Sequence, residues 1–142
     1  MNGAGMVVFK KNCARPEIIV LRREDGEHDL PKGHLEEDEE PIDCALRETR
    51  EETGLSASMP WGEECGEFGS CTFYAGEAKG EPKVRENPET GEAEHEWAGW
   101  MPLDEALLVL PDWMIDVVEW ANVHREDRTA MREFVGSITA RP

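Results

Sequence analysis

The sequence predicts an α/β domain, and three observations carry that prediction. Short β-branched runs open the chain at residues 4–9 ("AGMVVF") and at Glu17–Arg23 ("EIIVLRR"). A segment of helical periodicity follows at Pro41–Thr53, and a strand-like stretch at residues 95–103 ("HEWAGWMPL") precedes a C-terminal third patterned as helix. Such alternation over 142 residues amounts to one ordinary domain, and no repeat, linker or low-complexity tract divides it, so residues 1–142 read as a single unit.

The two opening runs flank a polar turn containing Asn12 and Pro16 and read as a paired hairpin. "DLP" then leads into a glycine turn at Gly33. The helix over Pro41–Thr53 has proline at its first position and Gly54 as its stop. Residues 61–80 are glycine-rich with strand-like pieces, and the polar residues 81–93 read as a loop. Beyond the later strand, Asp104 is the expected N-cap of a short helix that Pro111 breaks. Residues 112–124 are helical, and Asp127 is expected to cap a last helix through Phe134. Trp113, Met114, Val117, Val118 and Trp120 fall at packing positions of that region.

Composition narrows the function. Fifteen basic against 32 acidic residues leave a formal net charge of −17, which repels phosphate backbones and anionic lipid, so bulk nucleic-acid binding and membrane association are disfavoured. The chain shows no export signal and no long apolar span, and its four cysteines lack CxxC spacing; the expectation is a cytoplasmic protein with free thiols. An anionic substrate remains compatible with this charge only where carboxylates hold divalent cations that invert the local potential.

The densest acid lies in "RETREETGL", residues 47–55. With Glu48 at zero and 100° per residue, Glu51 falls near about −60° and Glu52 near about +40°, so three carboxylates share one sector. Ile42, Leu46, Thr49 and Thr53 fall between about 100° and 160°, a separate face suited to packing on a sheet. Crowded carboxylates cost about 0.2–0.5 kcal/mol per like-charged pair in an isolated helix, which calls for compensation by Arg47 and Arg50 or by hard cations such as Mg²⁺. A solvated acidic face is the plain alternative.

The context decides between them. Gly33, five residues, Glu39, seven residues, then Arg47-Glu48-Thr49-Arg50-Glu51-Glu52-Thr53-Gly54-Leu55 resembles the Nudix box, G-x5-E-x7-R-E-U-x-E-E-x-G-U. Every fixed letter matches; Thr49 stands where an aliphatic residue is usual, on the packing side. The resemblance implies an α/β/α sandwich around a mixed sheet and hydrolysis of a nucleoside diphosphate linked to another moiety, with one to three Mg²⁺ or Mn²⁺ ions. It assigns Glu48, Glu51, Glu52 and the Gly33 carbonyl to the metals, and Glu39 with Arg47 to an orienting pair. The base that takes the water proton varies within the family; Glu52 or Glu48 is the first candidate here and Glu94 the next.

"LPKGHLE" (residues 30–36) and "EHEWAGWMPLDEA" (residues 94–106) are similar to the asymmetrical diadenosine tetraphosphate hydrolases within that family. That similarity implies a small nucleotide substrate, with Lys32 and His34 on the polyphosphate and Tyr74 stacked on a base; Arg22 is a further substrate-binding candidate. Two features depart from the subgroup: a short lysine-free segment before Tyr74 and the loop at 81–93. Hydrolysis at an RNA 5′ end, of ADP-ribose or a nucleotide sugar, or of damaged dNTPs are the alternatives on the same fold. A non-catalytic nucleotide-binding regulator is the alternative from another class. Oligomeric state is left open.

Overall fold

The computed structural model describes residues 2–139; Met1 and residues 140–142, which the single-unit reading also covers, lie outside the described residues. The elements follow in order as β1 (Gly3–Lys10), β2 (Glu17–Arg23), β3 (His28–Asp29), β4 (Lys32–His34), α1 (Pro41–Thr53), β5 (Cys65–Phe68), β6 (Cys71–Ala78), β7 (His95–Pro102), α2 (Leu103–Val109) and α3 (Asp112–Thr139). They build a mixed seven-stranded sheet with the order β3-β2-β1-β6-β5, with β4 paired to β1 and β7 to β2. Only β1 and β6 run parallel; the other pairs are antiparallel.

Both faces of the sheet are covered, which explains why its central strands are apolar without interruption. Val7, Phe9, Ile18, Val20, Phe73 and Ala75 join Ala106, Met114, Val117 and Val118 of α2 and α3 in one core layer. Ala4, Met6, Val8, Ile19, Leu21 and Tyr74 join Cys44 and Ala45 of α1 in the other. The α/β/α sandwich expected from the sequence is therefore present, and strand parity decides which side chain enters which layer.

Helix α1 has the expected bounds. Pro41 occupies its first turn, and Gly54 closes it in the left-handed region (φ 78°), its N–H donating to the Arg50 carbonyl. Its fully buried residues are Cys44, Ala45, Thr49 and Thr53, with Ile42 and Leu46 packed beside them. Thr49 costs the helix little, because its hydroxyl donates to the Ala45 carbonyl at 2.8 Å and so enters the core satisfied.

Three expectations are corrected. Gly33 does not sit in a turn but in β4, paired with Ala4 of β1. Asp104 is not the cap of α2: the helix begins at Leu103 with Pro102 at the cap position, because the Leu103 N–H is held by the Pro16 carbonyl at 3.0 Å. The C-terminal region is one 28-residue helix, with no new start at Asp127. Arg128 paired with Glu64 and Arg132 bound to the Pro60 carbonyl tie its middle to the loop before β5, and the backbone runs on. All four cysteines are free thiols. No helix among the described residues is long and apolar enough to cross a membrane.

Candidate active site

The acidic face of α1, strand β4 and the first residues of β7 meet along one cleft of about 680 Å³. Gly33 controls how closely the first two approach. A Cβ placed on Gly33 would lie 2.2 Å from the carboxyl carbon of Glu48 and 2.3 Å from its Oε1. Its φ is not positive, so what requires glycine here is space for the Glu48 carboxylate.

Arg47 organises the helix glutamates. Its Nε and Nη2 donate to Glu39 Oε2 and Oε1 at 2.7 and 2.9 Å, a bidentate pair, and Nη2 also donates to the His34 carbonyl at 3.1 Å. Nη1 reaches Glu48 Oε1 at 2.8 Å and Glu51 Oε2 at 3.1 Å. One guanidinium thus holds the loop before α1, strand β4 and two of the three clustered carboxylates. These bonds pull the Glu39 carboxyl down to about 2. Stability from this depressed group is complete above the ordinary carboxylate range and disappears as pH falls through about 2. Glu39→Gln is accordingly expected to be less stable than the parent at pH 6, with the difference shrinking steadily between about pH 4.5 and 2. Melting curves across that range check it, and a gap that stays constant with pH would refute the assignment.

Glu52 is placed differently. As a residue it is partly exposed, yet its Oε2 is shut off from solvent with no hydrogen-bond partner. Burial first, then the charges of Glu48, Asp29 and Glu94, push its carboxyl well above the usual range; burial raises Glu48 as well, against the pull of Arg47. Glu48, Glu51, Glu52 and Glu94 line one pocket with Arg85, Asn87 and His95. The loop at 81–93 is docked there by the C-terminal end of α1: Arg85 Nη1 donates to the Arg50 carbonyl at 3.1 Å and the Lys83 N–H to the Thr53 carbonyl at 3.0 Å.

Two buried polar residues that the sequence reading did not single out complete the site. Asp29 and His95 are 3% and 6% exposed, and the His95 Nε2 lies 3.0 Å from Asp29 Oδ2. The Lys32 ammonium is 3.2 Å from Asp29 Oδ1. Burial raises the Asp29 carboxyl, but the His95 hydrogen bond and the Lys32 charge outweigh it and the net shift is downward. Lys32 lines the cleft while holding Asp29, and His34 lines it as an exposed side chain. The signal for Asp29 was its place two residues before the "KGH" triplet, and for His95 its place beside Glu94.

Two substrate candidates are not where they were expected. Tyr74 is only 7% exposed and packs in the core layer under α1, so its ring has no open face for a base to stack on. Arg22 points to the other side of β2, where it pairs with Glu96 at 2.8 Å and lies over the Trp97 ring; its neighbour Arg23 lines the cleft. The alternation of the strand explains the exchange.

The fold and this carboxylate-lined cleft define a class of hydrolytic α/β sandwich, and the comparisons agree. Residues 1–121 match the NUDIX domain, and the chain belongs to the Nudix hydrolase family. An asymmetrical bis(5′-nucleosyl)-tetraphosphatase from Caenorhabditis elegans is 31% identical over 121 residues, covering 77% of this chain and 84% of that protein. The mouse protein of the same name is 36% identical over a shorter match, 42% of this chain and 46% of that one. Among solved structures, a C. elegans Ap4A hydrolase binary complex superposes with a TM-score of 0.64 at 20% identity, covering 93% of this chain and 99% of that one. The MutT protein of Methanosarcina mazei Go1 gives 0.57 at 22% identity, covering 89% and 94%. At these identities the structures speak for the fold.

Nudix hydrolases use divalent metal ions, and the residues present suit them. The donors are hard carboxylate oxygens, and Glu52 Oε2 is enclosed without a partner. No group of three His, Cys, Asp or Glu stands assembled as an ion cage among the described residues. Mg²⁺ does not need one, since it takes one or two carboxylates and completes its shell with water and substrate phosphates.

Proposed function

We propose that this protein hydrolyses a diphosphate linkage in a nucleoside polyphosphate, with a dinucleoside polyphosphate such as Ap4A as the preferred substrate, using one to three Mg²⁺ or Mn²⁺ ions. The observation that carries the reading is the convergence of Glu48, Glu51, Glu52 and Glu94 on one cleft whose rim carries Lys32, His34 and Arg23. The names of the C. elegans and mouse relatives support the substrate class. In this reading residues 1–142 act as one domain on a small nucleotide, and the free thiols suit a cytoplasmic location.

Glu48, Glu51, Glu52 and the Gly33 carbonyl would hold the metal ions, which supply charge neutralisation at the phosphate oxygens and a lowered pKa for attacking water. Arg47, fixed by Glu39, keeps Glu48 and Glu51 turned toward the cleft. Lys32, His34 and Arg23 receive the polyphosphate on the opposite wall. Glu52, Glu48 or Glu94 takes the water proton; the raised carboxyls of Glu52 and Glu48 suit a proton acceptor near neutrality once the cleft is loaded.

The test is product analysis with purified protein and Mg²⁺ or Mn²⁺, offering Ap4A, ADP-ribose, triphosphorylated RNA and 8-oxo-dGTP. Asymmetric cleavage of Ap4A to ATP and AMP, faster than any other substrate, is expected. Preferred turnover of another substrate would move the assignment within the family, and nucleotide binding without any turnover would sink the enzymatic reading.

A further inference from the structure

The start of β7 is irregular in a way that bears on Glu94. Against β2, Arg22 pairs with Trp97 and Arg23 with His95, so Glu96 is an extra residue and the strand bulges there. A bulge redirects the side chains on either side of it. Here Glu96 turns outward to Arg22, His95 turns into the core, and Glu94 is delivered to the pocket of the helix glutamates. A bulge at the first residues of a strand has little pairing before it to hold it in place. The Asp29 contact to His95 supplies that hold from β3, across 66 residues of sequence.

Energetics also argue that this contact serves more than folding. A buried charged pair contributes little net stability, because desolvation offsets the Coulomb attraction, and an apolar pair of similar volume would do as well. Asp29 is nevertheless fully partnered: Oδ1 accepts from the Leu30 N–H at 2.9 Å, Oδ2 faces His95, and Lys32 balances the charge. Such complete satisfaction fixes orientation, as outer partners do for the groups that perform chemistry.

We infer that Asp29 is a positioning residue for Glu94, acting through His95 to lock the bulged start of β7 so that the Glu94 carboxylate faces Glu48 and Glu52. The inference rests on the role given to Glu94 above and adds the residue that places it.

A double-mutant cycle separates positioning from plain structural support. Asp29→Asn is expected to lower kcat about tenfold, in the range for loss of an outer partner. Glu94→Gln is expected to lower it about 100-fold. If Asp29 acts through Glu94, the double variant falls no further than Glu94→Gln alone, within about threefold; independent effects would multiply to about 1,000-fold and overturn the inference. Hydrogen exchange gives a readout that needs no turnover: amides of residues 93–97 should exchange faster in Asp29→Asn while those of α1 do not, and unchanged exchange there would also overturn it. Should Asp29→Asn fail to fold, His95→Leu breaks the same contact from the other side and enters the same cycle. A Glu94→Gln variant with parental kcat overturns the inference while leaving the substrate reading intact. Failure of the parent to cleave Ap4A sinks the substrate reading alone, and the cycle is then run on whichever nucleoside polyphosphate is cleaved.

Discussion

Replacing Glu52 by glutamine is expected to raise the melting temperature of the metal-free protein by a few degrees while lowering kcat by about 1,000-fold. Both halves come from one geometry. The Glu52 carboxylate has an enclosed, unpartnered oxygen and stands among Glu48, Asp29 and Glu94. Leaving a buried polar atom unmatched costs about 1–3 kcal/mol, and a glutamine of the same shape carries no charge into that cluster. A carboxyl whose folded value is raised contributes its full stability at low pH and loses it as pH rises through that value, so the variant's advantage should be small near pH 4 and widen toward alkaline pH. Added Mg²⁺ should reverse the order, stabilising the parent more than the variant. Melting curves with and without Mg²⁺ at several pH values, together with kcat, provide the check. A variant that melts lower than the parent at every pH would mean that Glu52 is a structural partner and not a stored charge. The site thus trades stability for function at one identifiable atom.

Much of this architecture was legible in the sequence wherever local chemistry is sufficient. Pro41 and Gly54 punctuate α1, and the chain obeys both because each imposes its own backbone conformation. The acidic sector was legible because the angular spacing of Glu48, Glu51 and Glu52 does not depend on tertiary context. Strands β3 and β4, of two and three residues, are too short to show any period, so Gly33 looked like a turn. Parity was visible along β2 and β6, but not which face carries the cleft. Arg22 and Tyr74 were therefore chosen where Arg23 and a different surface were needed. Asp127 resembles a cap only until its helix is held by Arg128 and Arg132 to the loop beneath it. The Asp29–His95 contact joins residues far apart in sequence, and no local pattern announces it.

Gly33→Ala should separate activity from folding in the complementary sense. The added methyl would fall 2.2 Å from the Glu48 carboxyl carbon, so the two cannot coexist. What yields is the end of a flexible side chain: β4 stays paired to β1, and Glu48 swings away from Arg47 Nη1, its partner at 2.8 Å. The loss of that single bond, set against the smaller backbone entropy of alanine in the unfolded chain, should keep the melting temperature within about 3 °C of the parent. Activity should not survive so well. Displacing one member of the carboxylate cluster by about 1 Å is enough to cost about 100-fold in kcat/KM. The expected outcome is a folded protein with nearly parental melting, weakened Mn²⁺ binding by calorimetry and strongly reduced turnover. Parental kcat/KM in Gly33→Ala would show that Glu48 works from another rotamer, and a collapsed fold would show that the backbone of β4, not the carboxylate, absorbs the clash.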